Sequence, residues 1–371
     1  FFHRLQMSLP YGRSRLRKAP DGSDELIQGL LDLRDWLGAQ EFEQVIDLDN
    51  KRDKLKLKAK SLATTASGYI RCLDLLVNQE AEWVFWAEKS EANRVELTAA
   101  PLNVSEMLAN NIFNKEDLET SIWMSATLAT NGEDPFAYFK KEIGAPNLII
   151  QERVSSPFDY KRQAVLYLPS TVPDPNSRDF GPAIADHIEE ILHLSQGRAF
   201  VLFTSYAGMN RAYLSLQDRL PFPCQRQGEM PRKRLIEWFR ETPAAVLFAT
   251  NTFWEGVSID GEQLSCVIID RIPFQAPDDP VYEARCELMK EGSDGGWFGR
   301  LALPRAIMRL KQGTGRLIRT RSDRGIVAIL DPRMTQKAYG RTIIACLPAM
   351  TTVKSLGDAS CIDDLLSYGY D

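Results

Sequence analysis

Residues 180–206 read FGPAIADHIEEILHLSQGRAFVLFTSY. Over 180–194 apolar side chains recur at helical intervals. From Ala199 the pattern becomes an unbroken apolar run that ends in Thr204 and Ser205. A helix followed by a short continuous apolar run is the mark of a strand buried on both faces. The same grammar continues outward in both directions. Apolar runs occur at Ile122–Ser125, Ala164–Leu168, Ala245–Ala249, Cys266–Asp270 and Ile326–Leu330. Helical patterns lie between them at 206–219, 231–240, 280–291 and 301–319. Such alternation predicts an α/β fold, a parallel sheet with helices on both faces. Residues 171–180, TVPDPNSRDF, read as a Pro/Asp-rich loop within it.

The first hundred residues follow a different pattern. Leu26, Ile27, Leu30, Leu31 and Leu37 are spaced in threes and fours, with Ser23 ahead as N-cap and Gly38 as stop. A second long helix carries Leu55, Leu62, Ala66, Tyr69, Leu73 and Leu76. A lysine-rich run from Lys51 to Lys60 separates the two stripes. Residues 82–87 and 94–100 read as the two strands of a hairpin, and a short helix follows around Val104–Leu108.

Composition sets limits. A length of 371 residues fits two domains. With 44% hydrophobic and 26% charged residues the chain is ordinary globular material. No apolar run approaches the ~18 residues of a membrane span. His3, His187 and His193 are the only histidines, and the last two point about 240° apart on a helix. None of the six cysteines forms C-x-x-C, so metal and His-based catalysis have little to work with. The net charge of −5 conceals a basic segment. Residues 292–330 hold eight Lys and Arg against Asp294 and Asp323.

Four stretches carry residues suited to chemistry. In LPRAIMRLKQGTGRLIRTR, Leu303–Arg321, a single helix would place Leu303, Ile307, Leu310 and Leu317 on one stripe and Gln312, Arg316 and Arg319 on the far side. Gly313 and Gly315 each cost such a helix about 1 kcal/mol, so something should approach its backbone closely. Two guanidiniums on one face suit the charge of a transferring γ-phosphoryl group; a solvated basic face is the alternative. Thr204 and Ser205 end a buried strand, where ligands of open α/β sheets collect, although Ser205 also suits a simple N-cap. Thr250 ends another strand and leads into Asn251-Thr252-Phe253-Trp254-Glu255-Gly256-Val257-Ser258-Ile259-Asp260-Gly261. That composition suits backbone and stacking contacts to a phosphodiester strand, or an ordinary β–α loop with a buried Trp. Ser125-Ala126-Thr127-Leu128 follows the run from Ile122 and could relay between a nucleotide site and a neighbouring domain.

In order and spacing the four stretches resemble superfamily 2 DNA helicases of the DinG/YoaA type, relatives of the XPD helicases. Ser125–Leu128 is similar to helicase motif III, Leu202–Tyr206 to motif IV, Phe253–Val257 to motif V and Gln312–Arg319 to motif VI, the most specific of the four. Ser156-Pro157-Phe158, Ile269–Phe274 with Pro277–Pro280, and Ala328–Arg333 resemble connecting phrases of the family. The resemblance covers about 80–371, and residues 1–80 fit the family's helical arch by position and character. Ser258 stands where the family is usually acidic, with Asp260 two residues on. The chain has no Gly-Lys dipeptide, hence no P-loop, and no D-E-x-H. The family's cluster cysteines also lack a counterpart.

The resemblance therefore implies the carboxyl-terminal part of an ATP-dependent 5′→3′ DNA helicase. On that reading, residues 1–80 are an arch-like region. Residues 81–130 hold the hairpin and the last strand of motor domain 1. Residues 131–371 form a RecA-like motor domain 2. Gln312, Arg316 and Arg319 would serve ATP hydrolysis, with Gly256, Asp260, Gly313 and Gly315 lining the nucleotide. Thr204, Ser205, Thr250 and Trp254 would hold DNA, and Ser125 and Thr127 would couple the domains. ATP with Mg2+ would be held mainly by motor domain 1, with an iron–sulfur cluster, where present, upstream and none in this chain. Implied partners are single-stranded and forked DNA, motor domain 1, and replication or repair proteins, in a bacterial cytoplasm at the nucleoid. Two readings compete. One is a non-catalytic nucleic-acid-binding or partner-docking module that uses 292–330 and Lys51–Lys60. The other is a nucleotide-fold metabolic enzyme, which would need a G-x-G-x-x-G after its first strand.

Overall fold

A computed structural model describes residues 1–40, 51–130, 133–145, 150–250, 253, 263–276, 278–291 and 296–357. The chain divides into two compact units. One comprises Phe1–Ile112 with Ala276–Trp297, and the other Phe113–Gln275 with the residues from Phe298 onward. The return of 276–297 to the first unit is invisible in the sequence pattern.

The first unit contains α1 (Phe2–Ser8), β1 (Gly12–Leu16), α2 (Ser23–Gly38), α3 (Lys51–Asn78), β2 (Trp83–Lys89), β3 (Val95–Pro101) and the helix Pro280–Glu291. The hairpin forms as expected, with Trp83 opposite Pro101 and Lys89 opposite Val95. Strand β1 adds a third, antiparallel strand. Its sequence, GRSRL, lacks an apolar rhythm, and charge helps to hold it. Arg15 and Arg17 reach Glu287 on the helix Pro280–Glu291 at 2.7 and 2.8 Å. Ser23 is not the cap of α2: Gly22 stands there in the left-handed region at φ 86°, and the Ser23 hydroxyl donates to Pro20 O at 2.6 Å. On α3 the buried stripe is Ala59, Ala66, Ile70, Leu73 and Leu76, while Leu62 and Tyr69 are exposed. The phase is set by what lies opposite. Leu73 and Leu76 pack with Phe85 of the hairpin and with Leu26, Ile27 and Leu30 of α2.

The second unit is built on a seven-stranded sheet in the order β10-β4-β9-β8-β5-β7-β6. The strands are β4 (Ala164–Tyr167), β5 (Ala199–Phe203), β6 (Cys224–Arg226), β7 (Val246–Thr250), β8 (Cys266–Ile269), β9 (Gly325–Ile329) and β10 (Thr351–Val353). Every pairing is parallel. Alternate residues of each central strand enter opposite cores. Val201, Ile268 and Ala328 join one with α4 (Phe180–Ser195) and α5 (Tyr206–Leu216). Leu202, Ile269 and Ile329 join the other with α6 (Arg232–Glu241), α7 (Leu303–Thr314) and α8 (Ala338–Cys346). This is the doubly covered sheet that the continuous apolar runs predict. The edge strands β6 and β10 span only three residues each, too few for a periodicity to register.

Ile122–Ser125 is not a strand. Ile122, Trp123 and Met124 are exposed at 79%, 44% and 88%. A strand exists through its ladder, and no described strand pairs with this one.

Close packing in the sheet is sharpest at Gly325, where an added Cβ would overlap the Ser265 carbonyl oxygen and stand 2.8 Å from Leu317 Cδ1. Gly325→Ala should destabilise the second unit by about 1–3 kcal/mol, read as a lower urea midpoint at unchanged slope.

Candidate functional site

In a parallel sheet buried on both faces, polar groups can gather only where strands end. Here the carboxyl ends of β5, β7, β8 and β9 deliver Thr204, Thr250, Asp270 and Asp331 to one edge. The Arg316–Arg319 segment follows α7, and Leu317 and Ile318 enter the same core as Ile269 and Ile329.

The helix expected over 301–319 ends at Thr314. Gln312 lies in its last turn, half-buried, and Arg316 and Arg319 lie on the turn beyond it. The chain descends through Gly315 N→Lys311 O at 2.9 Å, Arg316 N→Gly313 O at 3.2 Å and Leu317 N→Thr314 O at 3.2 Å. Two buried apolar residues, Leu317 and Ile318, then separate the half-buried arginines. Two buried polar side chains fix the end of the turn. The Asp323 carboxylate accepts from Arg319 N and Thr320 N, both at 2.8 Å. The Gln163 amide donates to Thr320 O, Arg321 O and Asp323 O at 3.0, 3.2 and 3.0 Å. The arginines thus stand on a pinned loop rather than on one helix face. Neither Gln163 nor Asp323 stands out in the sequence, because partners about 160 residues apart leave no local pattern.

The close approach at Gly315 comes from its own helix. Gly313 is buried in α7, and a Cβ on Gly315 would sit 2.9 Å from Lys311 O. Much of the basic segment is also turned inward. Lys311 Nζ donates to Ala129 O at 2.7 Å, and burial pushes its ammonium down from the ordinary value. Arg305 binds Tyr138 Oη at 3.1 Å, Arg309 binds Pro273 O at 3.3 Å, and Arg324 binds Asp323 O at 2.9 Å.

The Arg316–Arg319 turn lies by the amino ends of β4 and β9; at the opposite, carboxyl end of β5, Ser205 caps α5 by accepting from Gly208 N at 3.1 Å, the simple role its position allows. Thr250, expected on a nucleic-acid face, is 4% exposed. Its N–H and Oγ1 both donate to Gln227 Oε1, at 2.8 and 2.9 Å. Gln227 Nε2 in turn donates to Tyr206 Oη at 2.6 Å. Thr250 therefore helps to hold Tyr206, whose ring stays 53% exposed at the first position of α5. Tyr206 closes the Leu202–Tyr206 stretch with no role of its own legible in the sequence; an aromatic directly after a strand-ending hydroxyl pair was the available signal. Trp254, Gly256, Ser258 and Asp260 lie outside the described residues. Ser125 and Thr127 form a local turn, with Thr127 N donating to Ser125 Oγ at 3.2 Å and the hydroxyls 3.2 Å apart.

Asp270 ties this edge together. It is 2% exposed, accepts from Thr204 N at 2.9 Å, and lies 3.5 Å from Arg271 Nε. Burial outweighs these partners and pushes its carboxyl up to about 7. Asp331 is better matched, accepting from Arg333 Nη2 at 2.6 Å and Ile272 N at 2.8 Å.

A helicase C-terminal domain signature matches residues 188–350. The ATP-dependent DNA helicase YoaA of Haemophilus influenzae is 34% identical over 275 residues, which are 74% of this chain and 42% of that protein. The ATP-dependent helicase DinG of Mycobacterium tuberculosis is 36% identical over 269 residues, 72% of this chain and 40% of that one. The chain thus spans about two-fifths of the curated relatives it matches. Among solved structures, an XPD helicase superposes with TM-score 0.61 at 18% identity, covering 95% of this chain and 60% of that one. At that identity the likeness speaks for the fold.

Two outcomes follow from the geometry. Asp323→Ala strips two backbone N–H groups of their acceptor and should lower stability by about 1–3 kcal/mol in chemical denaturation. Asp270 binds its proton more tightly when folded, so stability should fall as pH rises from about 4 to about 7. Urea midpoints across that window should show a flatter profile for Asp270→Asn.

Proposed function

Because the chain belongs to the DinG/YoaA-type, XPD-like helicase family, we propose that it is the carboxyl-terminal part of an ATP-dependent DNA helicase. The intact protein translocates 5′→3′ on single-stranded DNA and opens forked duplex in DNA repair, in the cytoplasm at the nucleoid. Residues 131–371 serve as motor domain 2. Residues 81–130 belong with motor domain 1, and 1–80 with the arch.

The observation that carries the proposal is the pinned Arg316–Arg319 turn. An arginine acts on a phosphoryl transition state through position, and a guanidinium on a loose loop would lose that advantage. Here Asp323 and Gln163 fix the backbone that bears Arg319. The nucleotide and Mg2+ are held mainly by motor domain 1; the residues of this chain fit the transferring phosphoryl charge. Arg316 and Arg319 supply donors to γ-phosphoryl oxygens, Gln312 orients beside them, and the main chain at Gly313 and Gly315 closes the wall. Thr204, Ser205 and the ring of Tyr206 hold the DNA strand, with Thr250 acting through Gln227. Ser125 and Thr127 couple the domains.

In the intact protein Arg319→Ala should lower DNA-stimulated ATP hydrolysis by about 10³-fold or more while oligonucleotide binding persists. Unchanged turnover would sink the assignment. The 371-residue chain alone should hydrolyse no ATP in a phosphate-release assay, since it has no P-loop lysine.

A further inference from the structure

A cavity of about 550 Å³ opens between α4, α5 and the end of β8. Arg178, Phe180, Gly208, Arg211, Asp270 and Arg271 are among its lining residues. Its charge is predominantly positive. Arg178 and Arg211 are exposed and have no side-chain partner among the described residues. Arg271 lies over the Phe180 ring at 4.4 Å. Its buried Nε makes no hydrogen bond, although Asp270 stands at ion-pair distance, 3.5 Å. Arg219, on the same wall, is already neutralised by Asp186 and Glu189. Three guanidiniums with donors to spare around a concave space suit the oxygens of a phosphate group.

The cavity also adjoins the strand-end edge. Gly208 lines it and belongs to the first turn of α5, where its N–H meets the Ser205 hydroxyl at 3.1 Å. A Cβ there would lie 3.1 Å from Ser205 Oγ and 3.9 Å from Asp270 Oδ2. The cavity thus begins at the first turn of α5, next to Ser205.

We propose that Arg178, Arg211 and Arg271 form a phosphodiester-binding cleft that extends the contact of this domain with single-stranded DNA beyond its strand-end residues. The proposal rests on the helicase reading for the identity of its ligand. The cleft positions the strand through backbone charge and reads no base.

The test is an anisotropy titration of the 371-residue chain with a fluorescein-labelled oligothymidylate, over salt from about 50 to 200 mM. On a single strand, every phosphate that the protein no longer neutralises takes about 0.7 off the slope of log K against log salt. Combined Arg178→Gln and Arg211→Gln should therefore flatten the slope by about 1.4. Arg321→Gln, an exposed arginine outside the cavity, should leave it near the unaltered value. An unchanged slope in the double variant, or equal flattening by Arg321→Gln, overturns the cleft and leaves the helicase reading standing. Displacement of the oligonucleotide by inorganic phosphate beyond that by chloride of equal ionic strength overturns the phosphodiester assignment in favour of a free anion. No oligonucleotide binding by the unaltered chain overturns both the cleft and the DNA-holding part of the helicase reading.

Discussion

Burial of both faces of the seven-stranded sheet is the constraint from which the rest of the second unit follows. Each central strand sends alternate side chains into two separate cores, so β5, β7, β8 and β9 have no room for a polar group along their length. An uncompensated polar atom there would cost about 1–3 kcal/mol. Polar groups are displaced to the strand ends. Thr204, Thr250, Asp270 and Asp331 each stand within one or two residues of a strand terminus. The sheet also fixes their spacing, because neighbouring parallel strands lie about 4.8 Å apart.

At the two ends of the sheet, side chains from distant parts of the chain decide where Thr204, Tyr206 and Arg319 sit. Gln227 binds the end of β7 with its carbonyl oxygen and Tyr206 with its amide nitrogen. Gln163 and Asp323 together close the loop behind Arg319. Asp270 holds the Thr204 amide while sharing its other oxygen with Arg271. Where such contacts are buried, as at Gln163, Asp323 and Asp270, a satisfied network is rigid and a broken one is costly.

Much of this was legible in the residues. Unbroken apolar runs at Ala164–Leu168, Ala199–Thr204 and Ile326–Leu330 mark strands covered on both faces, and the sheet contains all three. The hairpin at 83–101 followed from its β-rich alternation. Other features were hidden for identifiable reasons. Ile122–Ser125 has the composition of a strand without a described partner. Strand β1 has a partner without the composition, because the hairpin and two glutamates hold it. The basic segment looked like a solvated stripe or a phosphate-facing one, yet Arg305, Arg309, Lys311 and Arg324 bind groups within their own unit.

The sequence by itself determined the α/β class, the strand-ending hydroxyls and the identity of the arginines after α7, because periodicity and residue order are local properties. It could not set the end of that helix at Thr314, the inward turn of Thr250 or the exposed ring of Tyr206. Nor could it reveal the cluster of Arg178, Arg211 and Arg271 around one cavity. Those depend on contacts such as Gln163 with 320–323 and Gln227 with Thr250, made between residues distant in the chain. Only the folded sheet, by fixing which strand ends are neighbours, chooses among them.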